Sequence, residues 1–120
     1  MNTKIAGRAG ESAAAAYLKR KHFRIIGMNY ASRFGEIDLI AENRDYVVFA
    51  EVKTRSSDRF AQAREFVTAA KQRRIIATAA LWLQANPTEK QPRFDVIEVY
   101  GSGVLTRINH IENAFEGTTL

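Results

Sequence analysis

The sequence predicts an α/β fold in which one mixed β-sheet is flanked by helices, in the order α-β-β-β-α-β-β. Three observations support this prediction. The chain has 120 residues, of which 46% are hydrophobic, and this is enough for one core. The first three strands have short connections, as in an antiparallel meander. A long helix precedes the fourth strand, and such a crossover places that strand parallel to a neighbour in the same sheet.

Each element follows from a local pattern. Four consecutive alanines and a basic last turn predict the first helix over residues 10–21. Apolar and β-branched runs predict strands over residues 23–30, 36–41, 46–53, 94–100 and 104–108. The second helix is predicted from about residue 62 to 85, before Pro87. Its expected buried stripe consists of Phe66, Ala69, Ala70, Ile76, Ala79, Ala80 and Leu83.

Turns and loops separate these elements. The segment Asn43-Arg44-Asp45 predicts a tight turn between the second and third strands. Asn86-Pro87 and Gln91-Pro92 carry strong helix and strand breakers, so we expect a loop there. After Glu112 we expect a loose tail or a short helix.

The composition argues against several classes of protein. No apolar run approaches the ~20 residues that cross a membrane, and the first residues lack the apolar stretch of a secretion signal. Cysteine is absent, which removes disulfides, thiolate zinc sites and cysteine nucleophiles. We therefore expect a single cytoplasmic domain over residues 1–120 with no membrane partner.

The charge is unevenly distributed along the chain. The net charge is +5, and it divides into +6 over residues 1–35, −2 over 36–60, +4 over 61–93 and −3 over 94–120. Basic chains of this size often bind nucleic acid, although a solvated lysine-rich surface gives the same balance. The acidic central block requires a separate explanation.

The central hairpin supplies that explanation. A hairpin around Arg44-Asp45 would place Asp38 opposite Glu51 and Glu36 opposite Lys53, with all four side chains on one face. Opposed carboxylates destabilise a sheet, so we expect a cation between them. Lys53 could provide it in a structural ion-pair network. A divalent metal such as Mg²⁺, which prefers oxygen ligands, would do so more fully. The opposite face is apolar and comprises Ile37, Leu39, Ala41, Val48, Ala50 and Val52.

Further polar residues are candidates for the same site. Glu11 lies on the apolar stripe of the first helix and should point toward the sheet, although a carboxylate there can also be a helix-terminal charge. Arg64, Lys71 and Arg74 fall at roughly helical spacing on one side of the second helix. Such a face either neutralises phosphates or is ordinarily solvated.

Three other residues are not predicted to belong to this site. Asp95 and Glu98 point to opposite faces of the fourth strand, and we assign neither to the site. Trp82, between two leucines, is expected to pack in the core or in an interface.

Six short segments, spread over about residues 7–100, carry a resemblance to a known family. They are Gly10-Glu11 before the alanine-rich helix, Asn29-Tyr30, residues 35–41 (GEIDLIA), residues 49–55 (FAEVKTR), Lys71-Gln72-Arg73-Arg74 and residues 93–97 (RFDVI). In these segments the sequence resembles the bacterial YraN-type uncharacterised protein family. That family is similar to archaeal Holliday-junction resolvases and to restriction-endonuclease-like nucleases.

The resemblance implies a restriction-endonuclease-like fold and Mg²⁺-assisted (or Mn²⁺-assisted) hydrolysis of phosphodiester bonds in DNA, with branched DNA as one expected substrate. It implies Glu11, Asp38, Glu51 and Lys53 as catalytic residues, with the metal on Asp38, Glu51 and the Val52 carbonyl. The residues expected to contact nucleic acid are Lys19, Arg20, Lys21, Arg55, Lys71 and Arg74. Resolution of a junction needs two cuts, so a homodimer is expected by the same resemblance.

Two other functions remain open from the sequence. The first is a nuclease-like module that binds nucleic acid without cutting it. The second is a protein-interaction domain in which the acidic cluster is purely structural. Only the metal hypothesis predicts that Asp38 is needed for Mg²⁺ binding.

Overall fold

A computed structural model describes residues 3–55 and 67–117 of the chain. Within these ranges the order is α-β-β-β-α-β-β, as predicted, with a short 3₁₀ turn at Gly103–Leu105. The helices are α1 (Thr3–Arg20) and α2 (Ala69–Ala85), and the strands are β1 (Arg24–Ala31), β2 (Glu36–Glu42), β3 (Tyr46–Arg55), β4 (Gln91–Tyr100) and β5 (Arg107–Phe115).

The five strands form one mixed sheet in the order β1-β2-β3-β4-β5. β1, β2 and β3 pair antiparallel, which confirms the predicted meander. β4 pairs parallel with β3, as the crossover through α2 predicts, and β5 returns antiparallel to β4. The architecture is thus the single mixed sheet with flanking helices that the resemblance implies.

The two faces of the sheet are covered by different helices. On one face, Ala14 and Leu18 of α1 pack against a cluster that includes Leu39, Val48 and Ile97. On the other face, α2 packs against Ile40, Phe49, Phe94 and their neighbours. Because alternate residues of each strand supply the two clusters, both faces of the central strands are buried. Ile37 was expected on the same face as Leu39 and Ala41, but it belongs to the α2-side cluster. It lies in the part of β2 beyond its pairing with β3.

The predicted buried stripe of α2 is partly wrong. The buried residues are Ile75, Thr78 and Ala79, whereas Ala69 and Ala70 are exposed. α2 begins at Ala69, with Thr68 as its N-cap, so the first turn of the helix lies outside the core. Trp82 packs as expected, with its ring edge-on to Phe49 at 5.7 Å between centroids. The predicted stretch 62–66, with Arg64 and Phe66, lies outside the described residues.

The end of the chain also differs from the prediction. β4 begins at Gln91 rather than at residue 94, and it includes Pro92 near its start, where a strand tolerates the missing N–H. Residues 104–105 form the 3₁₀ turn instead of a strand. The prediction of a loose tail or short helix after Glu112 is wrong for residues 113–115, which belong to β5. The Phe115 ring stacks on the Phe94 ring, with 5.2 Å between the ring centroids, and this contact stabilises the pairing of β5 with β4 at its end.

The described residues, 3–55 and 67–117, include the two α-helices. No helix there combines the length and the apolar character that a membrane span requires.

Candidate metal centre

The site is built where β2 and β3 stop pairing. Their register is the predicted one, since Leu39 pairs with Ala50 and Glu42 with Val47. The paired stretch ends at Leu39, so the expected pairs Asp38–Glu51 and Glu36–Lys53 are not part of it. Asp38 Oδ2 instead accepts a hydrogen bond from the backbone N–H of Val52 at 2.8 Å.

Asp38 and Glu51 line one small pocket on the α2 side of the sheet. Its volume is about 130 Å³, and its walls are Gly35, Glu36, Asp38, Glu51, Lys71, Arg74 and Ile75. Glu51 is 6% exposed, so its carboxylate is held largely out of water. The structure therefore brings the two carboxylates that the sequence singled out into a common pocket.

The electrostatics of this pocket are unfavourable for Asp38. Burial, with the neighbouring charge of Glu51, raises the pKa of Asp38 from 3.8 to about 7. The hydrogen bond from Val52 and the charge of Lys71 oppose this rise without cancelling it. A carboxylate in such a position favours either a proton or an additional cation.

Lys71 supplies one cation to the pocket. Its Nζ donates to Glu51 Oε2 at 2.8 Å, and this hydrogen bond raises the pKa of Lys71. Lys71 lies one turn before the buried Ile75 on α2, which directs it toward the sheet. The sequence placed Lys71 among phosphate contacts and gave the ion-pair role to Lys53. Lys71, Ile75 and Thr78 follow one another at the helical spacing of four and three residues. This spacing is the sequence pattern that would have predicted a Lys71 side chain facing the sheet.

Glu11 and Lys53 lie near the pocket without lining it. The charge of Glu11 also raises the pKa of Asp38, as a smaller cause than Glu51. α1 comes close to β3 next to this residue, because a Cβ on Gly10 would stand 2.3 Å from Thr54 Oγ1. Lys53 leaves the same face of β3 as Glu51, is partly exposed and stands opposite Glu98 of β4.

The residues expected to contact nucleic acid fall into separate groups. Arg74 is exposed at the pocket next to Lys71. Arg55 forms an ion pair with Glu98 at 3.1 Å, and its side chain is only 14% exposed. Lys19, Arg20 and Lys21 are exposed at the end of α1. Since β1 starts just after them and its Arg24 pairs with Glu42, this basic end lies near the β2–β3 turn, away from Asp38.

The side chains near the pocket form a limited set of donors for a divalent metal. Among residues 3–55 and 67–117, no group of three or more His, Cys, Asp or Glu side chains is gathered closely enough to hold an ion. Glu36 also lines the pocket, but it is exposed and does not complete such a group, so Asp38 and Glu51 are left as a pair, with Val52 beside them. Mg²⁺ commonly binds one or two carboxylates and keeps several waters, so this set fits Mg²⁺ better than a metal that needs a full protein cage.

A second polar cluster, which the sequence did not predict, lies on the α1 side of the sheet. Asp95 is completely buried and accepts two hydrogen bonds from Arg93, one from His110 Nε2 at 2.7 Å and one from the Asn113 N–H. Burial alone would raise the pKa of Asp95, but these hydrogen bonds lower it. His110 Nδ1 also lies 3.0 Å from the Tyr17 hydroxyl. With its acceptors satisfied in this way, Asp95 ties β4 to β5 and, through His110, to α1.

A larger hollow of about 710 Å³ lies at the start of β3 and β4 and the end of β5. It is walled by Tyr46, Arg93, Phe115 and their neighbours, and it contains none of the predicted catalytic carboxylates.

Comparison with known proteins gives a consistent result. Residues 10–99 match the model of a family described as "Uncharacterised protein family UPF0102". A UPF0102 protein of Caldanaerobacter subterraneus is 43% identical over 119 residues, covering 96% of this chain and 98% of that protein. One from Symbiobacterium thermophilum is 49% identical, covering 91% and 94%. One from Alkaliphilus oremlandii is 47% identical, covering 96% and 100%.

Proposed function

The chain belongs to the uncharacterised protein family UPF0102, the family that the sequence resemblance indicated, and from this premise we propose that it is a metal-dependent nuclease acting on DNA. The observation that carries the proposal is the pocket shared by Asp38 and Glu51. Burial and the charge of Glu51 raise the pKa of Asp38 to about 7, so a divalent cation there would relieve a repulsion that Lys71 leaves in place.

Asp38 and Glu51 would hold the ion, together with the Val52 carbonyl and waters. A bound Mg²⁺ supplies Lewis-acid polarisation of a phosphate and activation of a water. The hydrogen bond from Val52 N–H to Asp38 Oδ2 fixes one carboxylate oxygen and leaves the other for a ligand. Lys71 holds Glu51 in position through its ion pair.

Cationic side chains would receive the substrate. Lys53, on the Glu51 side of β3, would stabilise charge that develops on the phosphate. Arg74 at the pocket rim would neutralise a flanking phosphate, which positions a strand without reading its sequence. Glu11 would bind a water near Asp38. Branched DNA, and a homodimer that cuts it twice, are the finer expectations that the resemblance adds.

A cleavage assay tests the proposal. Junction, flap, linear duplex and RNA substrates are incubated with Mg²⁺ or Mn²⁺, beside Asp38→Asn, Glu51→Gln and the control Glu112→Gln, whose carboxylate is exposed on β5. We expect cleavage by the wild type and the control, and at least a hundredfold loss in the other two. The proposal is wrong if both pocket variants cut at the wild-type rate, or if purified wild type cuts none of the substrates.

One observation favours a second candidate function. The Lys71–Glu51 pair, at 2.8 Å, neutralises one of the two carboxylates without any metal. In a nucleic-acid-binding module that does not cut, the Lys71–Glu51 ion pair would stabilise the fold and the pocket would hold no metal. This candidate predicts tight, salt-dependent binding that is unchanged by a metal chelator, with no product in the cleavage assay.

A further inference from the structure

The turn between β1 and β2 lies next to the carboxylate pocket, and hydrogen bonds stabilise its backbone conformation. The Ser32 N–H donates to the Gly35 carbonyl at 2.8 Å, and the Phe34 N–H donates to Ser32 Oγ at 3.0 Å. Ser32 Oγ also lies 2.8 Å from Oγ1 of Thr78, a completely buried residue of α2. The turn is thereby anchored to the helix that carries Lys71 and Arg74.

This turn presents an aromatic ring and a cation to solvent. Phe34 is 40% exposed, which is unusual for so large an apolar side chain. The guanidinium carbon of Arg33 lies 4.7 Å from the centre of that ring. The pair therefore offers an aromatic ring and a cation for stacking, on a turn whose backbone is held by hydrogen bonds.

The turn is seated against the pocket itself. Gly35 and Glu36, the two residues after Phe34, are walls of the pocket. A Cβ on Gly35 would stand 3.2 Å from Cβ of Arg74, so the absence of a side chain there allows the turn to approach α2. Phe34 precedes Asp38 by four residues, which limits their Cα separation to about 13 Å in an extended strand.

We propose that Arg33 and Phe34 form a stacking platform for an unpaired nucleobase of the strand whose phosphodiester lies at Asp38 and Glu51. The proposal rests on the proposed function and narrows its substrate to DNA with an unpaired base near the cut. Aromatic and guanidinium planes are the groups on which exposed bases stack, and a base inside an intact duplex cannot reach them. At 3.4 Å per nucleotide along a strand, 13 Å places the stacked base within about four nucleotides of the reacting phosphate.

Binding without cleavage tests the platform. Two DNAs of the same sequence are compared in Ca²⁺, one fully paired and one with a single unpaired 2-aminopurine at its centre. We expect the wild type to bind the unpaired DNA about tenfold more tightly and to quench the 2-aminopurine fluorescence. In Phe34→Ala both the preference and the quenching should disappear, while affinity for the paired DNA is kept.

Matched variants separate stacking from apolar contact and from folding. Phe34→Trp should keep the preference, and Phe34→Leu should lose it, because leucine retains apolar bulk without a ring. Leu105→Ala is the control, since Leu105 is 75% exposed in the turn between β4 and β5. The platform is refuted if Phe34→Ala or Phe34→Leu keeps the full preference.

The outcomes also separate this inference from the nuclease proposal. A wild type that prefers and quenches the unpaired base, yet never cleaves DNA in Mg²⁺, contradicts the nuclease and leaves the platform standing. Equal cleavage of paired and unpaired DNA, unchanged by Phe34→Ala, contradicts the platform and leaves the nuclease standing.

Discussion

Asp38 is an acid held in surroundings that favour its protonated form. Burial and the nearby Glu51 raise its pKa to about 7, and its single backbone hydrogen bond from Val52 does not compensate. Asp95 shows the opposite arrangement, since burial is offset there by Arg93 and His110, which lower the pKa below its ordinary value. The contrast separates a carboxylate that is satisfied by the fold from one that is left with a need for a proton or a metal.

The first prediction concerns stability and pH. Between pH 3.8 and about 7 the folded protein keeps a proton on Asp38 that the unfolded chain releases. The stability contributed by this residue is therefore present below pH 3.8 and is lost as the pH rises through 7. Without divalent metal, Asp38→Asn should be more stable than the wild type at pH 8 by about 1–3 kcal/mol, because one pKa unit corresponds to about 1.4 kcal/mol.

Urea unfolding at pH 8 and pH 4 measures this difference. At pH 4 the two proteins should be nearly equal, since Asp38 is then neutral in the folded state. Asp45→Asn, at an exposed turn position, is the control and should show no such pH dependence. A gap of the same size at both pH values would mean that the ionisation of Asp38 is not its cause.

At the scale of elements, the contact between α1 and β3 positions Glu11. Gly10 of α1 is buried against Thr54 of β3, and a Cβ at this position would come within 2.3 Å of the threonine hydroxyl. Alanine is otherwise favoured over glycine in a helix interior by about 1 kcal/mol. The glycine therefore serves the close approach of helix and strand rather than the helix itself.

This contact gives a second prediction. Gly10→Ala should destabilise the protein by about 1–2 kcal/mol, a typical cost of forcing extra volume into a packed site. In a Thr54→Ala background the same change should stabilise it by up to about 1 kcal/mol. Thermal unfolding of the four proteins of this double-mutant cycle measures both effects, and an equal effect of Gly10→Ala in both backgrounds would refute the steric explanation.

The helices and strands also show which structural features can be predicted from the sequence. Hydrophobic pattern and turn chemistry were sufficient for the order of elements and for the register of β2 and β3, because each is fixed by neighbouring residues. The end of that pairing at Leu39 coincides with a hydrogen bond from the backbone N–H of Val52 to the Asp38 side chain. The pairing of Lys71 with Glu51 depends on the rotation of α2, and the course of β5 depends on Phe115 stacking on Phe94. These three features involve residues distant in sequence.

At the scale of the whole molecule, a third prediction concerns the basic side chains near the pocket and the salt dependence of DNA binding. Arg74 is exposed at the pocket, and Arg44 is exposed in the β2–β3 turn at the far end of the hairpin. Each phosphate neutralised contributes about 0.9 to the slope of log K against log salt. Arg74→Gln should therefore reduce this slope for duplex DNA by about one, and Arg44→Gln should leave it unchanged.

Fluorescence anisotropy titrations over a range of salt concentrations give these slopes. An unchanged slope in Arg74→Gln, or an equal reduction in Arg44→Gln, would place the DNA elsewhere on the molecule.

The central claim is that Asp38 and Glu51 hold one divalent ion between them. Electron paramagnetic resonance of free Mn²⁺ measures this directly, because the signal of the free ion falls as the ion binds. At pH 8 we expect one Mn²⁺ per chain in the wild type and in the control Glu42→Gln, a β2 carboxylate that pairs with Lys90 outside the pocket. We expect at least tenfold weaker binding in Asp38→Asn and in Glu51→Gln. Wild-type affinity in both pocket variants, or no bound Mn²⁺ in the wild type, would contradict the claim.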